Sequence, residues 1–163
     1  MNSKIIDVVV EISSGSNLKY EISKDGTIIL DRVLSCSMMY PGNYGFIPNT
    51  LAKDGDPLDV LIIVPYPLQP GCQIKCKCVG VLIMSDEKGL DEKILAVPVS
   101  DVDPNYNEIN DIFDIPNVQL NMIKHFFENY KKTDKGKWSK VNDFLPKIEA
   151  EKLVDLYKIN NML

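Results

Sequence analysis

The sequence lacks several features on which large classes of protein depend. It has a single His among 163 residues, and no apolar run approaches the roughly 18 residues that a membrane-spanning helix needs. The longest such run, residues 60–64, fits a buried strand. Asp7 and Glu11 interrupt the first apolar stretch, which excludes the apolar centre of a signal peptide. We therefore expect one cytoplasmic domain over residues 1–163, with no membrane partner.

The four cysteines, at positions 36, 72, 76 and 78, contain no Cys-x-x-Cys pair and fit no zinc-binding spacing. Cys76 and Cys78 alternate with Lys75 and Lys77, which predicts that both thiols lie on the inner face of one strand. We expect them to pack as small apolar side chains. Reduced thiols agree with a cytoplasmic location.

The net charge is −5, whereas proteins that bind nucleic acid in general present a basic surface. Nucleic acid is therefore not an expected partner. An acidic protein that acts on an anionic substrate needs metal cations or a local cluster of Lys and Arg. The sequence contains candidates for both.

The first hundred residues read as strands. Alternating apolar side chains and turn residues predict strands over residues 8–12, 18–22, 27–33, 60–64, 73–79, 80–84 and 94–99, with a hairpin turn at Lys24-Asp25-Gly26. Two helices follow. One begins near Pro116 and carries Val118, Met122, Ile123, Phe126, Phe127 and Tyr130 at helical spacing. The other runs from about residue 146 to 159, with one face formed by Ile148, Leu153, Leu156 and Tyr157. This order predicts a mainly β, α+β fold, a small closed barrel with helical cover.

The most specific motif is Asp54-Gly55-Asp56-Pro57-Leu58-Asp59, directly before the apolar strand. Two carboxylates about 5 Å apart repel by roughly 3 kcal/mol at an effective dielectric constant of 20, and a divalent cation reverses the sign. The alternative is a solvated acidic turn. A calcium-binding EF-hand is excluded, because its fifth, sixth and twelfth positions would be Leu58, Asp59 and Pro65.

A second acidic group occupies residues 85–93, between two predicted strands. Asp86 and Asp91 would face each other across the mouth of a hairpin, although the segment alone also fits an ordinary hydrophilic turn. If the barrel brings both acidic groups together, they form a site for several cations. Oxygen ligands without His favour Mg²⁺ or Mn²⁺ over zinc.

Cations and hydroxyls accompany these acids. Lys19 and Glu21 share one face of a strand, Arg32 lies on its partner strand, and Tyr130-Lys131 ends the first helix. Tyr44 belongs to a turn-rich aromatic segment of the kind that often lines a site. Each of these signals is weak alone, since strand Lys and Arg are usually surface charges and Tyr130 also fits a core position.

Together the motifs resemble the soluble inorganic pyrophosphatases of the prokaryotic family I type. The resemblance rests on Asp54-Gly-Asp56-Pro-Leu-Asp59-Val and on flanking motifs in the family's order, from about residue 8 to residue 140. They include Lys19-Tyr-Glu21-Ile, Tyr40-Pro-x-Asn-Tyr44-Gly, Asp86-Glu-x-Gly-x-Asp91-x-Lys93 and His125-Phe-Phe-Glu-x-Tyr130-Lys131. The resemblance implies a five-stranded OB-like closed β-barrel with two covering α-helices, assembled as a homohexamer of two trimers.

The resemblance also implies a reaction, the Mg²⁺-dependent hydrolysis of inorganic pyrophosphate to two orthophosphates by a metal-activated water. Asp54, Asp59 and Asp91 would hold the first Mg²⁺, with Asp59 shared with a second ion. Asp86 and Asp91 would hold a further one, and Mn²⁺ is a possible substitute. Asp56 would accept the proton of the attacking water, and Glu11 and Glu21 would act through metal-bound waters. The phosphates would be contacted by Lys19, Arg32, Tyr44, Lys93, Tyr130 and Lys131.

Two alternatives remain open at the level of the sequence. One is a non-catalytic OB-fold protein that binds oligonucleotides, for which a basic groove would be expected. The other is a metal-dependent phosphatase that acts on other phosphate esters, since the same ions would serve. The chain departs from some family members at Asn129, where they have His, and its single His125 lies in a helix that they use at subunit contacts. The strength of the hexamer is thereby left open.

Overall fold

A computed structural model of the chain describes residues 3–159. In that part of the chain, eight strands and two α-helices follow one another in sequence. They are β1 (Ile5–Ile12), β2 (Leu18–Ile22), β3 (Ile28–Val33), β4 (Asn43–Phe46), β5 (Asp59–Ile62), β6 (Gln73–Asp86), β7 (Gly89–Pro98), α1 (Asn117–Asn129), β8 (Ser139–Pro146) and α2 (Lys147–Tyr157).

Five of the strands close into a barrel. The order is β1-β4-β5-β7-β6, and β6 pairs back with β1 to complete the ring. β5 and β7 run parallel, while the other pairs in the ring are antiparallel. β8 pairs with the part of β6 that extends beyond its pairing with β1. β2 and β3 form a separate hairpin. The predicted five-stranded closed barrel with two covering helices is confirmed.

Both faces of β5 are buried, which explains its uninterrupted run of apolar residues. Val60 and Ile62 belong to one buried cluster, which includes side chains of α2. Leu61 and Ile63 belong to a second cluster, which includes side chains of α1. The strand therefore separates two cores, each covered by one helix.

A β-bulge redirects the end of β1. Val8 and Val10 pack in the first cluster, whereas Ile12 packs in the second. The register against β4 shifts between Val10 and Ile12, which places Glu11 within the irregularity. Bulges turn side chains in this way next to functional sites. Here the bulge lies at the end of β1 that approaches the acidic residues.

The sequence pattern missed two strands. β4 lies in a segment rich in turn residues, and it fits because Gly45 has no side chain: a Cβ there would lie 2.0 Å from the carbonyl oxygen of Val9. Apolar and polar residues alternate poorly along β8, which forms because it pairs with residues 80–86 of β6. The predicted break at Gly80 is also wrong, since β6 is continuous there and only its register shifts.

The two helices are confirmed, but not every predicted contact face is. α1 buries Ile123, Phe126 and Phe127, while its first turns leave Val118 and Met122 exposed. α2 packs through Ala150, Val154 and Tyr157. On α2, Ile148 and Leu156 are exposed, so the predicted face was wrong for both. The small side chain of Ala150 lets α2 approach the barrel closely. The buried face of α2 is therefore formed by Ala150 and the residues at helical spacing from it, and not by the largest apolar side chains.

Cys76 and Cys78 are fully buried in the first cluster, as predicted, and the four cysteines of the chain are free thiols. Across residues 3–159, no helix combines the length and apolar character needed to span a bilayer.

Candidate active site

A buried lysine is the centre of the site. The Lys93 ammonium donates hydrogen bonds to the Tyr44 hydroxyl at 2.7 Å, to Asp91 Oδ2 at 3.0 Å and to Asp59 Oδ2 at 3.2 Å. The side chain of Lys93 is only 3% exposed, while Asp59 and Asp91 are partly exposed. One cation therefore holds two of the predicted metal ligands together.

The sheet register explains why these residues meet. Asp59 of β5 lies beside Lys93 of the parallel strand β7. On β7, Asp91 is two residues from Lys93 and so points to the same face. Across the β6–β7 hairpin, Met84 pairs with Asp91 and Gly89 with Asp86. Because neighbours across strands share a face, Asp86 joins the same side of the barrel.

Burial and charge act against each other in this cluster. Burial alone would lower the pKa of Lys93, but the nearby Tyr44 oxygen and the carboxylates of Asp59 and Asp91 raise it well above its usual value. Burial raises the pKa of Asp59, and Lys93 offsets only part of that rise. The ammonium therefore stays charged, while desolvation still disfavours the ionised form of Asp59.

A cavity of about 320 Å³ opens beside this cluster. It is lined by the predicted site residues Glu11, Lys19, Glu21, Tyr44, Asp56 and Asp59. Burial raises the pKa of Glu11 to about 7, although the Ile22 amide donates to its carboxylate at 3.0 Å. Charge repulsion from Asp59 and Glu21 adds to the rise. The cavity thus gathers more negative charge than its own lysine neutralises.

The acidic turn faces a second, small cavity, lined by Asp54, Asp59, Asp91 and Glu92. Gly55 adopts φ 86°, in the left-handed region that favours glycine, and turns the chain between Asp54 and Asp56. The Asp56 amide donates to Asp54 Oδ1 at 3.0 Å, which fixes the turn. Asp59 lines both cavities and so connects the turn to the larger one.

The three predicted ligands of the first ion therefore share one cavity, but they are not in direct contact as a set. Between residues 3 and 159, no three acidic, His or Cys side chains are arranged ready to hold a metal ion. The Lys93 ammonium instead bonds to the carboxylates of both Asp59 and Asp91. Asp54 is on the exposed turn, where its carboxylate accepts from a backbone amide.

Near the turn of the β6–β7 hairpin, Lys131 binds the second acidic group. Its ammonium contacts Asp86 Oδ2 at 2.9 Å and Glu87 Oε1 at 3.6 Å. Burial works against ionisation of Asp86, but the Lys131 bond and the Lys88 amide lower its pKa. Tyr130 is buried and stacks on Phe126, with ring centroids 5.1 Å apart. The end of α1 therefore brings a cation and a phenol to this side.

The hairpin of β2 and β3 brings further cations. Lys19 pairs in register with Arg32, and the Lys19 ammonium lies 3.7 Å from Glu21 and 3.8 Å from Asp31. Burial and the nearby Arg32 lower the pKa of Lys19, and Lys137 lowers it further. The sequence did not predict that Lys137 lies near the site, because it belongs to a polar run after α1 without a recognisable motif. Only the fold places that loop near the hairpin.

The donor set fits a divalent cation. The carboxylates around the two cavities offer oxygen ligands, and they outnumber the lysines in the lining of each cavity, so both linings lack positive charge. Hard cations such as Mg²⁺ prefer oxygen ligands. A divalent ion near Asp59 would supply that missing charge.

Comparison with known proteins agrees with this geometry. The family model described as inorganic pyrophosphatase matches residues 8–159. The chain belongs to the inorganic pyrophosphatase family. Among curated relatives, the inorganic pyrophosphatase of Campylobacter jejuni is 52% identical over 158 residues, covering 94% of this chain and 92% of its own length. That of Nanoarchaeum equitans is 55% identical over 145 residues, covering 89% and 90%.

Among solved structures, the inorganic pyrophosphatase of Helicobacter pylori superposes with a TM-score of 0.93 at 43% identity, covering 96% of this chain and 95% of its own. The family predicted from the sequence is thus confirmed, and with it the class of enzyme, an inorganic diphosphatase. The match spans both acidic groups and both helices.

Proposed function

We propose that this chain carries out the reaction of its family, the hydrolysis of inorganic pyrophosphate to two orthophosphates, in the two cavities around Asp59. The observation that carries this proposal is the buried Lys93 cluster, in which one ammonium holds Asp59 and Asp91 beside a cavity lined with acids and Lys19. Family membership favours pyrophosphate over other phosphate esters. Charged groups of both signs meet there, as a highly anionic substrate and its metal ions require.

The metal of this site is Mg²⁺ in our proposal, with Mn²⁺ as a possible substitute. Asp54, Asp59 and Asp91 would hold one ion, and Asp86 with Asp91 another, while Glu11 and Glu21 act through water. Bound Mg²⁺ would lower the pKa of a coordinated water and neutralise charge on the phosphates. The support is the all-oxygen donor set and the excess of carboxylates over lysines in the lining of both cavities.

Asp56 takes the proton from the attacking water in this mechanism. It lines the larger cavity, and it is exposed, so a proton that it accepts can pass to solvent. Its neighbours are less free to do so, since Asp59 is bonded to Lys93 and Asp54 to a backbone amide. A general base must lie within reach of the proton it removes, and the position of Asp56 in the lining of the larger cavity supports this role.

Phosphate binding falls to the cations and hydroxyls that surround the acids. They come from three directions: the β2–β3 hairpin, the barrel wall and the end of α1. The assigned residues are Lys19, Arg32, Tyr44, Lys93, Tyr130 and Lys131. Fixed positive groups of this kind stabilise the charge that builds on the leaving phosphate.

We further infer that the enzyme works in the cytoplasm as a homohexamer. Support for assembly comes from an apolar patch formed by Met39, Val118 and Met122, which are 49%, 68% and 62% exposed. Exposed apolar patches commonly mark contacts between proteins. The free thiols agree with a reducing compartment.

The reaction is tested by measuring phosphate release from pyrophosphate with Mg²⁺, with EDTA in place of Mg²⁺, and with ATP in place of pyrophosphate. We expect rapid release only from pyrophosphate with Mg²⁺. Equal release from ATP would contradict the substrate assignment, and undiminished release in EDTA would contradict the metal.

The role of Asp56 is tested by Asp56→Asn, which keeps the shape and removes the base. We expect kcat to fall about 10²–10⁴-fold, the usual contribution of a general base. The matched control is Asp101→Asn, a change on an exposed turn, which should leave kcat unchanged. Circular dichroism should show both variants folded. Full activity of Asp56→Asn would remove it from the mechanism.

A further inference from the structure

The end of α2 is attached to the segment that leads into the acidic turn. The Leu51 amide donates to the Tyr157 carbonyl at 2.8 Å, and the Ile159 amide donates to the Asn49 carbonyl at 2.9 Å. The chain then enters the turn, where the Ala52 amide donates to the Asp56 carbonyl at 2.8 Å. A short path of backbone bonds therefore links α2 to the acidic turn.

The same residue of α2 also reaches the second acidic segment. Tyr157 is buried, with 8% of its surface exposed, and its hydroxyl donates to the carboxylate of Glu92, at 2.9 Å from Oε2 and 3.2 Å from Oε1. Glu92 lies on β7 between Asp91 and Lys93. Since side chains alternate along a strand, Glu92 leaves the face that carries these two residues. Tyr157 thus secures β7 from its other side.

The hydroxyl also controls where the Glu92 charge lies. Although the side chain of Glu92 points away from that of Asp91, Glu92 borders the small cavity that Asp54, Asp59 and Asp91 also line. An additional carboxylate without a partner there would repel the other three or compete with them for a cation. Burial and the bond to Glu92 raise the pKa of Tyr157 to about 12, so the hydroxyl keeps its proton and remains a donor.

We propose that Tyr157 is a positioning residue: by bonding Glu92 through its hydroxyl and Leu51 through its carbonyl, it holds the acidic turn beside β7, so that Asp54, Asp59 and Asp91 line one cavity in which a cation can bind. This inference rests on the proposed metal site. Nothing in the acidic motifs themselves points to Tyr157, which lies about a hundred residues after the first motif and 65 residues after Glu92 in the second. Tyr157 lines neither cavity and acts through Glu92.

The test is Tyr157→Phe, which removes only the hydroxyl. Mg²⁺ binding is measured by calorimetry without pyrophosphate, and kcat is measured as a function of Mg²⁺. We expect Mg²⁺ affinity to fall about tenfold, as for other residues that hold metal ligands in place. At saturating Mg²⁺, kcat should recover to within about twofold, because the groups that bind substrate are intact.

Tyr66→Phe is the matched control, because the Tyr66 hydroxyl also donates to a carboxylate, Asp103 Oδ2, at 2.6 Å. That pair is exposed and lies on other loops, so Mg²⁺ affinity should not change. If Tyr157→Phe bound Mg²⁺ as tightly as Tyr66→Phe, the proposed role of Tyr157 would be wrong. A merely structural role would lower the melting temperature without changing Mg²⁺ affinity, and that result also overturns the proposal.

Glu92→Ala shows whether Tyr157 acts through this carboxylate. In that background, adding Tyr157→Phe should weaken Mg²⁺ binding no further, because the hydroxyl has lost its partner. A full tenfold effect in the Glu92→Ala background would contradict the inference. The proposed metal site itself is checked by Asp59→Asn: if wild-type and Asp59→Asn proteins bind Mg²⁺ equally, the site is wrong and the role of Tyr157 falls with it.

Discussion

At the scale of single residues, Lys93 decides how much negative charge the site tolerates. Its ammonium lies among two carboxylates and a phenol and is almost fully buried. The family resemblance predicts Lys93 as a phosphate contact, and that role stays a prediction. The structure adds a second role, because the same ammonium stabilises Asp59 and Asp91. Local sequence patterns do not predict this role. Asp91 and Lys93 lie on β7, whereas Asp59 lies on β5, and only the pairing of the two strands brings Asp59 to Lys93.

This second role predicts a large loss of stability for Lys93→Met, a change of similar length without charge. Removing one partner of a buried ion pair costs about 3–5 kcal/mol of unfolding free energy. Urea unfolding in EDTA measures the change, so that no metal replaces the lost cation. The control is Lys75→Met, which breaks an exposed pair with Asp7 and should cost less than about 1 kcal/mol. Equal losses would contradict the role.

At the scale of elements, the site depends on how strands and helix ends are aligned. The bulge in β1 lies at Glu11, and the register of β5 with β7 pairs Asp59 with Lys93. Tyr130 follows directly after the last residue of α1. The strand alternation around these residues was predictable from the sequence. The bulge was not, because it depends on pairing with β4, a strand that the sequence pattern also missed.

α1 is held against the barrel by aromatic packing, which gives a prediction for Phe126→Ala. Phe126 is 1% exposed and contacts Tyr130 and Tyr40, with ring centroids 5.1 Å and 4.6 Å away. We expect the unfolding free energy to fall by about 3–5 kcal/mol. The same change at Phe113, which is 81% exposed, should alter it by less than about 0.5 kcal/mol.

Urea unfolding at one protein concentration measures both variants, since assembly makes stability depend on concentration. A loss at Phe113 that matched the loss at Phe126 would show that burial against the barrel is not what Phe126 contributes.

At the scale of the whole molecule, part of the apolar surface of α1 is not packed against the barrel. Val118 and Met122 follow the helical spacing of α1, and the pattern alone predicts that they face the core. Instead they are exposed, together with Met39. Helical spacing of apolar residues therefore does not distinguish side chains that pack in the core of their own chain from side chains that lie on its surface.

The proposed hexamer predicts that Met122→Lys weakens assembly. A charge in an apolar contact must lose its water without gaining a partner, which opposes association. Light scattering after gel filtration should give about six times the mass of one chain for the wild-type protein and a smaller mass for the variant. Leu156→Lys, at an exposed position on α2, is the control and should keep the wild-type mass. A wild-type monomer would contradict the hexamer.

The sequence by itself determined the barrel class, the two helices and the family, because these follow from local alternation and from motifs that are contiguous in the chain. It also placed Asp54 and Asp56 on one turn and Asp59 at the start of the strand that follows. Only the tertiary structure decided that Lys93 bonds to Asp59 as well as to Asp91, and that Tyr157 bonds Glu92. Lys93 and Asp59, like Tyr157 and Glu92, are distant in sequence, and closure of the barrel and packing of α2 against it bring them within hydrogen-bonding distance.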